Sequence, residues 1–294
     1  MKLNSQLAGT RLKNYQTEVS QRQTVNFAAG LNDNNPIYFD DIRAQGVAAP
    51  PTFPVSITWP VLSQLGDFIL LDEFPKEVLF TQVHYTEHLV IHRLVRPGDH
   101  ISLDGKIVSI TPHRAGTHAI IRLDAKDGSS NPVFTEYIGA MLRGVDCDGE
   151  MTVDPLPQIP ENDPAVPTAW TCLLEIDPLT PYIYDACADI EFPIHTSPKF
   201  ARDVGLPGIL LQGTATLGLA VRELVNNQAD GNPEAVKEIA CTFTGMVEPG
   251  TDIEICCLET RQEKEFTHIF FEVINASNKK AIRNGYMKIQ KESV

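Results

Sequence analysis

No apolar run in this 294-residue chain approaches the roughly 18–20 residues that a membrane-spanning helix needs. The N-terminus, MKLNSQLAGTRLKNYQ, lacks an apolar leader segment, so secretion is not expected. The C-terminus, KIQKESV, carries neither a CaaX pattern nor a simple ER or peroxisomal address. Basic residues are scarce: 24 Lys and Arg face 38 Asp and Glu, for a formal net charge of −14. Such a surface repels phosphate backbones, which excludes nucleic acid as a partner while leaving room for a local basic patch. The six cysteines, at 147, 172, 187, 241, 256 and 257, form no CxxC pair or regular framework. They read as buried, reduced thiols of a cytoplasmic protein, and the sequon Asn275-Ala276-Ser277 then has no role. GxGxxG, P-loop, GxSxG and HExxH patterns are missing, and the acids at 32–41 lack the EF-hand glycine. No cofactor and no metal is therefore expected.

What the chain does contain is a repeat. Val95-Arg-Pro-Gly-Asp-His-Ile-Ser-Leu103 returns as Val247-Glu-Pro-Gly-Thr-Asp-Ile-Glu-Ile255, displaced by 152 residues. Thr117-His118 before AIIRLDA returns as Thr267-His268 before IFFEVIN, displaced by 150. Asn35-Pro36-Ile37-Tyr38 returns as Phe192-Pro193-Ile194-His195, displaced by 157. Matches in one order with a slowly drifting offset mark a tandem duplication. Between the copies lies GVDCDGEMTVDPLPQIPENDPAVP, with five prolines and many acids, which can sustain neither a helix nor a central strand. The expected organisation is a first unit over 1–143, an extended linker over 144–168 and a second unit over 169–294.

Each unit places a polar stretch and the NP/FP motif before one apolar helix, expected over Thr52–Ile69 (weakened by Pro60) and over Gly213–Ala229. Four strands follow in each. They are expected in VLFTQVHYTEHLVIHRLV, HISLDGKIVSI, THAIIRLDAK and PVFTEYIGAMLR, and again in VKEIACTFTGMV, DIEICCLET, THIFFEVINA and KAIRNGYMKIQ. A helix followed by an antiparallel run of long strands means an α+β layer fold, with the sheet covering the helix. His84, His88 and His92 fall at alternate positions and are expected to share a strand face. A zinc reading of that face is set aside for want of HExxH.

The motifs resemble the MaoC-like dehydratase and (R)-specific enoyl-CoA hydratase family. In the second half the resemblance is carried by Tyr182-Ile-Tyr-Asp-Ala-Cys-Ala-Asp189-Ile-Glu-Phe-Pro193-Ile194-His195 and by Gln212-Gly213-Thr-Ala-Thr. In the first it is carried by Asn32-Asp33-Asn34-Asn35-Pro36-Ile37-Tyr38 and Ala49-Pro-Pro-Thr52. It implies a double hotdog, in which an antiparallel sheet wraps a long central helix in each unit. It also implies reversible hydration of a 2-enoyl thioester to an (R)-3-hydroxyacyl thioester, carried by coenzyme A or an acyl carrier protein.

That chemistry needs an acid/base pair and donors for the thioester oxygen. Asp189 and His195 are the expected pair, and Gly213, opening a helix, is the expected oxyanion donor. Phe192, Gln212, Tyr38, Asp33 and Asn35 are the expected substrate-facing residues. Neither copy holds the whole family set. Phe192 replaces the motif Asn, Ile190 stands where the motif Asp aligns, Gln212 replaces a His, and Tyr38 replaces the first copy's His. A one-residue bulge is needed to return Asp189 to the site. A divergent dehydratase, isomerase or cyclase on a polyketide-like substrate is the alternative, and a non-catalytic acyl-binding hotdog is a second. A homodimer is expected, since hotdog sheets commonly pair.

Overall fold

The computed structural model describes residues 1–291, so the last residues of the second unit and of its KESV tail lie outside the described residues. The first half runs β1 (Lys2–Asn4), β2 (Tyr15–Glu18), α1 (Gln21–Gly30), α2 (Pro36–Phe39), α3 (Pro54–Ser63) and α4 (Leu65–Phe68). It continues as β3 (Gln82–Ile91), β4 (His100–His113), β5 (Gly116–Lys126) and β6 (Pro132–Arg143). After the short β7 (Asp146–Asp148) and β8 (Met151–Thr152) come β9 (Trp170–Glu175), α5 (Thr180–Ala188), α6 (Pro198–Asp203) and α7 (Gly213–Gln228). β10 (Val236–Phe243), β11 (Asp252–Glu263), β12 (Phe266–Asn275) and β13 (Lys280–Gln290) complete it.

The two halves fuse into one antiparallel sheet, ordered β2-β4-β5-β6-β3-β10-β13-β12-β11-β9, with β8 joined to β4. The seam is β3 against β10, from Glu238 opposite Val90 to Thr242 opposite Thr86. Each half repeats one order about that seam, as a duplicated unit must. α7 is the helix wrapped by the second half, and Ala215, Leu217, Ala220, Val221, Leu224 and Val225 are all at most 2% exposed. Burying each of the larger side chains contributes roughly 1.5–3 kcal/mol. Its counterpart α3 is shorter than the sequence predicts. Pro60 sits inside it without an N–H to give, and the helix breaks at Gln64 before resuming as the single turn of α4.

α1 and α5 pack together across the seam. Gly30 makes this approach close, since a Cβ there would lie 2.7 Å from the Cβ of Cys187. The segment expected as linker is extended, but it is tied down. β7 pairs with β1, Asp154 reaches Lys106 at 2.5 Å, and Glu259 accepts the Asp163 N–H at 2.7 Å. The three-histidine face does not form. A β-bulge between His84 and Thr86 shifts the strand by one residue, so His84 turns to the side of Glu87 while His88 meets Glu238 on the other. Among the described residues no cluster could hold a metal ion, and all six cysteines are free.

Candidate functional site

The second-half motif begins on α5, started by Pro181, and leaves it at Asp189, whose φ of 56° and ψ of 37° end the helix in the left-handed conformation. That geometry turns Asp189 outward. Asp189 is exposed and Ile190 is 5% exposed, so the bulge expected to return Asp189 to the interior is not made. One turn earlier, Asp185 is half-buried, with Oδ1 buried and without a hydrogen-bond partner among the described residues. Burial raises its pKa, the Phe192 backbone N–H opposes that, and the neighbouring Glu191 and Asp189 charges raise it further.

His195 follows in the same loop, with Nδ1 at 2.8 Å from the Leu210 carbonyl. A carbonyl only accepts, so Nδ1 carries the hydrogen and Nε2 keeps its lone pair. Burial lowers the His195 pKa, which favours this neutral, basic form at neutral pH. Phe192 lies beside it, ring centroids 6.3 Å apart, and meets Trp59 of α3 edge-on at 6.4 Å. A bond from the Ser56 hydroxyl to the Ala188 carbonyl, 2.6 Å, also ties α3 of the first half to this loop.

Two residues beyond Leu210, Gln212 precedes α7. It is 1% exposed, donates Nε2–H to the Pro181 carbonyl at 3.0 Å, and leaves Oε1 buried without a partner among the described residues. No side chain caps the first turn of α7. Gly213 opens it, and a Cβ there would press to 3.2 Å from the Phe243 ring, a tight contact that glycine avoids. The bond from His195 to Leu210 thus sets the imidazole beside the segment that continues into Gln212 and Gly213, and Phe192 next to it is exposed.

The first-half residues are engaged differently. Asp33 is buried and accepts the Asn35 N–H at 3.1 Å, while Asn35 caps α2 by accepting the Ile37 N–H. The Asn35 amide also donates to the Gly231 carbonyl at 2.6 Å. Tyr38 is 1% exposed, and burial beside Asp33 pushes its hydroxyl pKa well up. These three form an Asx turn and cap locked onto the second half.

A constellation absent from the sequence expectations lies between these loops. On the inner face of the sheet, Glu87 of β3 and Glu136 of β6 are 1% and 0% exposed. Glu136 pairs with Leu89, two residues from Glu87, so the carboxyls share a face. Burial pushes Glu87 up to about 8, and Glu136 rises well above the carboxylate range through burial and then the Glu87 charge. His84 Nε2 approaches Glu87 Oε2 to 3.0 Å off the axis of a hydrogen bond, and burial lowers His84 to about 4. The His84 ring meets Phe243 edge-on at 4.6 Å, the same ring that confines Gly213. Tyr184, 0% exposed, sets its hydroxyl beside Thr214 in the first turn of α7 and within electrostatic reach of Glu87. A sequence signal for this cluster existed: period two places Glu87 on the face of Leu89 and Ile91, where a charge is anomalous.

Of the basic residues that could meet a phosphate, three are committed elsewhere. Arg93 pairs with Asp99 at 2.7 Å, Arg96 with Glu234 at 2.5 Å and Arg222 with Glu223 at 2.7 Å. Arg202 is exposed at the end of α6.

Residues 186–281 match the model of a MaoC like domain, and residues 6–134 match a FAS1-like, dehydratase domain region. The chain is 25% identical over 288 residues to peroxisomal multifunctional enzyme type 2 of Drosophila melanogaster, covering 93% of this chain and 46% of that protein. It is 28% identical over 133 residues to peroxisomal enoyl-CoA hydratase 2 of Arabidopsis thaliana, covering 45% of this chain and 40% of that protein. The chain therefore spans less than half the length of these relatives. Among solved structures, a MaoC-like dehydratase of Phytophthora capsici superposes with a TM-score of 0.82 at 17% identity, covering 97% of each chain. A Mycobacterium tuberculosis protein described as having a double hotdog fold gives 0.59 at 13% identity, covering 95% of this chain and 96% of that one. These likenesses show the fold, and they agree with the single sheet wrapped around α3 and α7.

Proposed function

Because the chain belongs to the MaoC-like dehydratase double hotdogs, we propose that it reversibly adds water to, or removes it from, an enoyl or 3-hydroxyacyl thioester of coenzyme A or a carrier protein. Residues 1–143 and 169–294 are read as its two hotdog units. The observation that carries the reading is His195, kept neutral by burial and oriented by the Leu210 carbonyl, in the segment that leads into the uncapped start of α7.

In hydration, Nε2 of His195 takes a proton from water as the oxygen bonds to the β-carbon. Charge then gathers on the thioester oxygen, where the first N–H groups of α7, beginning at Gly213, offset it. A proton delivered to the α-carbon completes the product, and dehydration reverses each step. The carboxyl partner comes from α5. Asp185, half-buried with a raised pKa, suits proton transfer better than the exposed Asp189 of the motif. Gln212, with one buried oxygen unengaged, and the exposed Phe192 face the ligand in this reading. Asp33, Asn35 and Tyr38 hold the fold on the other side.

The test is turnover of crotonyl-CoA and of (R)-3-hydroxybutyryl-CoA by the full chain, followed by loss or gain of the conjugated thioester absorbance. No turnover with these or longer acyl chains would sink the reading. The aromatic pair Phe192 and Trp59 favours a second one, an unsaturated polyketide-type ligand dehydrated, isomerised or cyclised at the same loop. Robust hydration of crotonyl-CoA counts against it. Among the described residues no helix is long and apolar enough to cross a membrane, and a cytoplasmic homodimer is part of the proposal. Imaging of the tagged chain and light scattering test those two parts, with peroxisomal targeting or a monomer as the contrary results.

A further inference from the structure

The interior carboxyls Glu87 and Glu136 contribute nothing to the reaction as described, and buried ionised pairs are costly enough to need a reason. Five of the elements around them supply a polar or titratable group, while β5 sets the apolar Leu123 opposite Glu136. β3 gives His84, β10 gives Cys241 directly opposite Glu87, and α3 gives the Thr58 hydroxyl near Glu136. α5 gives Tyr184, and α7 gives Thr214 beside it. None of these is a cation at neutral pH: burial keeps His84 neutral, and Cys241 is pushed well up as a thiol. All four oxygens of the two carboxyls, the Tyr184 and Thr214 hydroxyls and Gln212 Oε1 are buried without hydrogen-bond partners among the described residues. A cluster this buried, so poorly engaged and free of countercharge relaxes in one way: the carboxyls keep a proton and share it.

Its position is as telling as its charge. Glu87 lies within electrostatic reach of Tyr184, the Tyr184 hydroxyl lies beside Thr214, and Thr214 is the second residue of α7. His84 reaches the same turn through Phe243, which walls in Gly213. The cluster stands behind the turn assigned to the thioester oxygen, on strands of the first half, opposite a motif that has lost its own interior carboxylate to Ile190.

We propose that Glu87 and Glu136 form a proton-sharing carboxyl pair that, through the Tyr184 hydroxyl and Thr214, positions the first turn of α7 for an acyl thioester. This rests on the hydratase/dehydratase reading above. The two are positioning residues, and no bond to substrate is made or broken at them. With a proton retained, the pair adds no further negative charge behind an enolate forming at α7. Losing a proton puts a fixed negative charge behind a developing anion, so turnover falls as the pH rises.

The experiment uses the full chain, the isosteric E87Q and E136Q variants singly and together, and two measurements. Infrared spectra at neutral pH should show the carbonyl stretch of a protonated, buried carboxylic acid, absent from the double variant. With crotonyl-CoA, kcat should decline above about pH 8 in the unaltered protein. The double variant should lack that alkaline limb, and E87Q should lose about tenfold in kcat with KM little changed, as expected for a contact felt mainly in the transition state. An acid band that is missing from the unaltered protein overturns the proposal, and so does an alkaline limb unmoved in the double variant. If the double variant does not fold, the single E136Q variant decides by the same two criteria. Absence of turnover with every thioester removes the functional reading and the positioning role with it. The infrared band then separately decides whether the pair holds a proton.

Discussion

The loop at 32–38 and the loop at 188–195 come from one repeated motif, and their polar atoms have been put to different uses. In the first, Asp33 and Asn35 are bonded within their own turn and to Gly231 of the other half. In the second, His195 makes one bond to Leu210, and its neighbours Asp185 and Gln212 each keep a buried oxygen unengaged. Hydrogen bonds across the two halves make a clamp, whereas buried polar atoms left unengaged near a helix start are what a ligand can use. The inner sheet face is divided in the opposite sense: Glu87 of the first half faces Cys241 of the second across the seam. In the proposed reading, duplication let one copy keep the motif's chemistry and the other the motif's architecture.

The largest effect that would break this contrast concerns the matched pair His195 and Tyr38. His195→Ala should lower kcat by about 10²–10⁴, the usual share of a general acid or base, with an unchanged circular dichroism spectrum. Tyr38→Phe should leave kcat within about twofold, because its hydroxyl is buried on the clamp side. Full activity in the first variant, or collapse in the second without unfolding, would reverse the assignment of the two loops.

Next in size is a stability effect confined to the clamp. Asn35→Ala removes a helix cap and an inter-half bond, and should cost about 1–2 kcal/mol in urea unfolding while sparing kcat in the fraction that stays folded. A loss of kcat at unchanged stability would mean that the first loop also serves chemistry.

How far the sequence revealed this division depends on the physical range of each signal. β6 and β13 coincide with their expected runs because period-two burial and turn residues are local. β2 and β9 were not anticipated, since edge strands of four and six residues bury too little to mark themselves. The repeat exposed both motif loops, yet the fate of Asp189 turned on one left-handed residue that no pattern specified. Asp185 lay only four positions away, unremarked, because which face of α5 turns inward is settled by packing on α1. Glu87 and Glu136 become neighbours only through strand pairing, a long-range property, and the bulge that places His84 with them leaves no local trace.

Asp185 and Asp189 sharpen the comparison further within the second loop. Asp185→Asn should reduce kcat about tenfold, since it removes a proton-exchanging carboxyl while keeping the shape. Asp189→Asn should stay within about twofold, because Asn tolerates the left-handed conformation and the side chain is exposed. The opposite ranking would restore the motif carboxylate to the site.

The smallest expected effect falls on the outside of the same loop. Arg93, Arg96 and Arg222 are held in ion pairs and brace the fold, so they are poorly free to meet a phosphate. Arg202 stands exposed on α6, seven residues after His195, in the same half of the chain as the loop proposed to take the thioester. An exposed charge contributes little and is screened by salt, so Arg202→Glu should raise KM for a coenzyme A thioester only about two- to fivefold at low ionic strength. The shift should shrink at about 0.5 M salt, and kcat should not move, because the contact is equal in ground and transition states. A kcat effect instead would place Arg202 at the chemistry, and an unchanged KM at low salt would send the cofactor's phosphates to the first-half side of the seam. That result would make the clamp loop, rather than the histidine loop, the entrance.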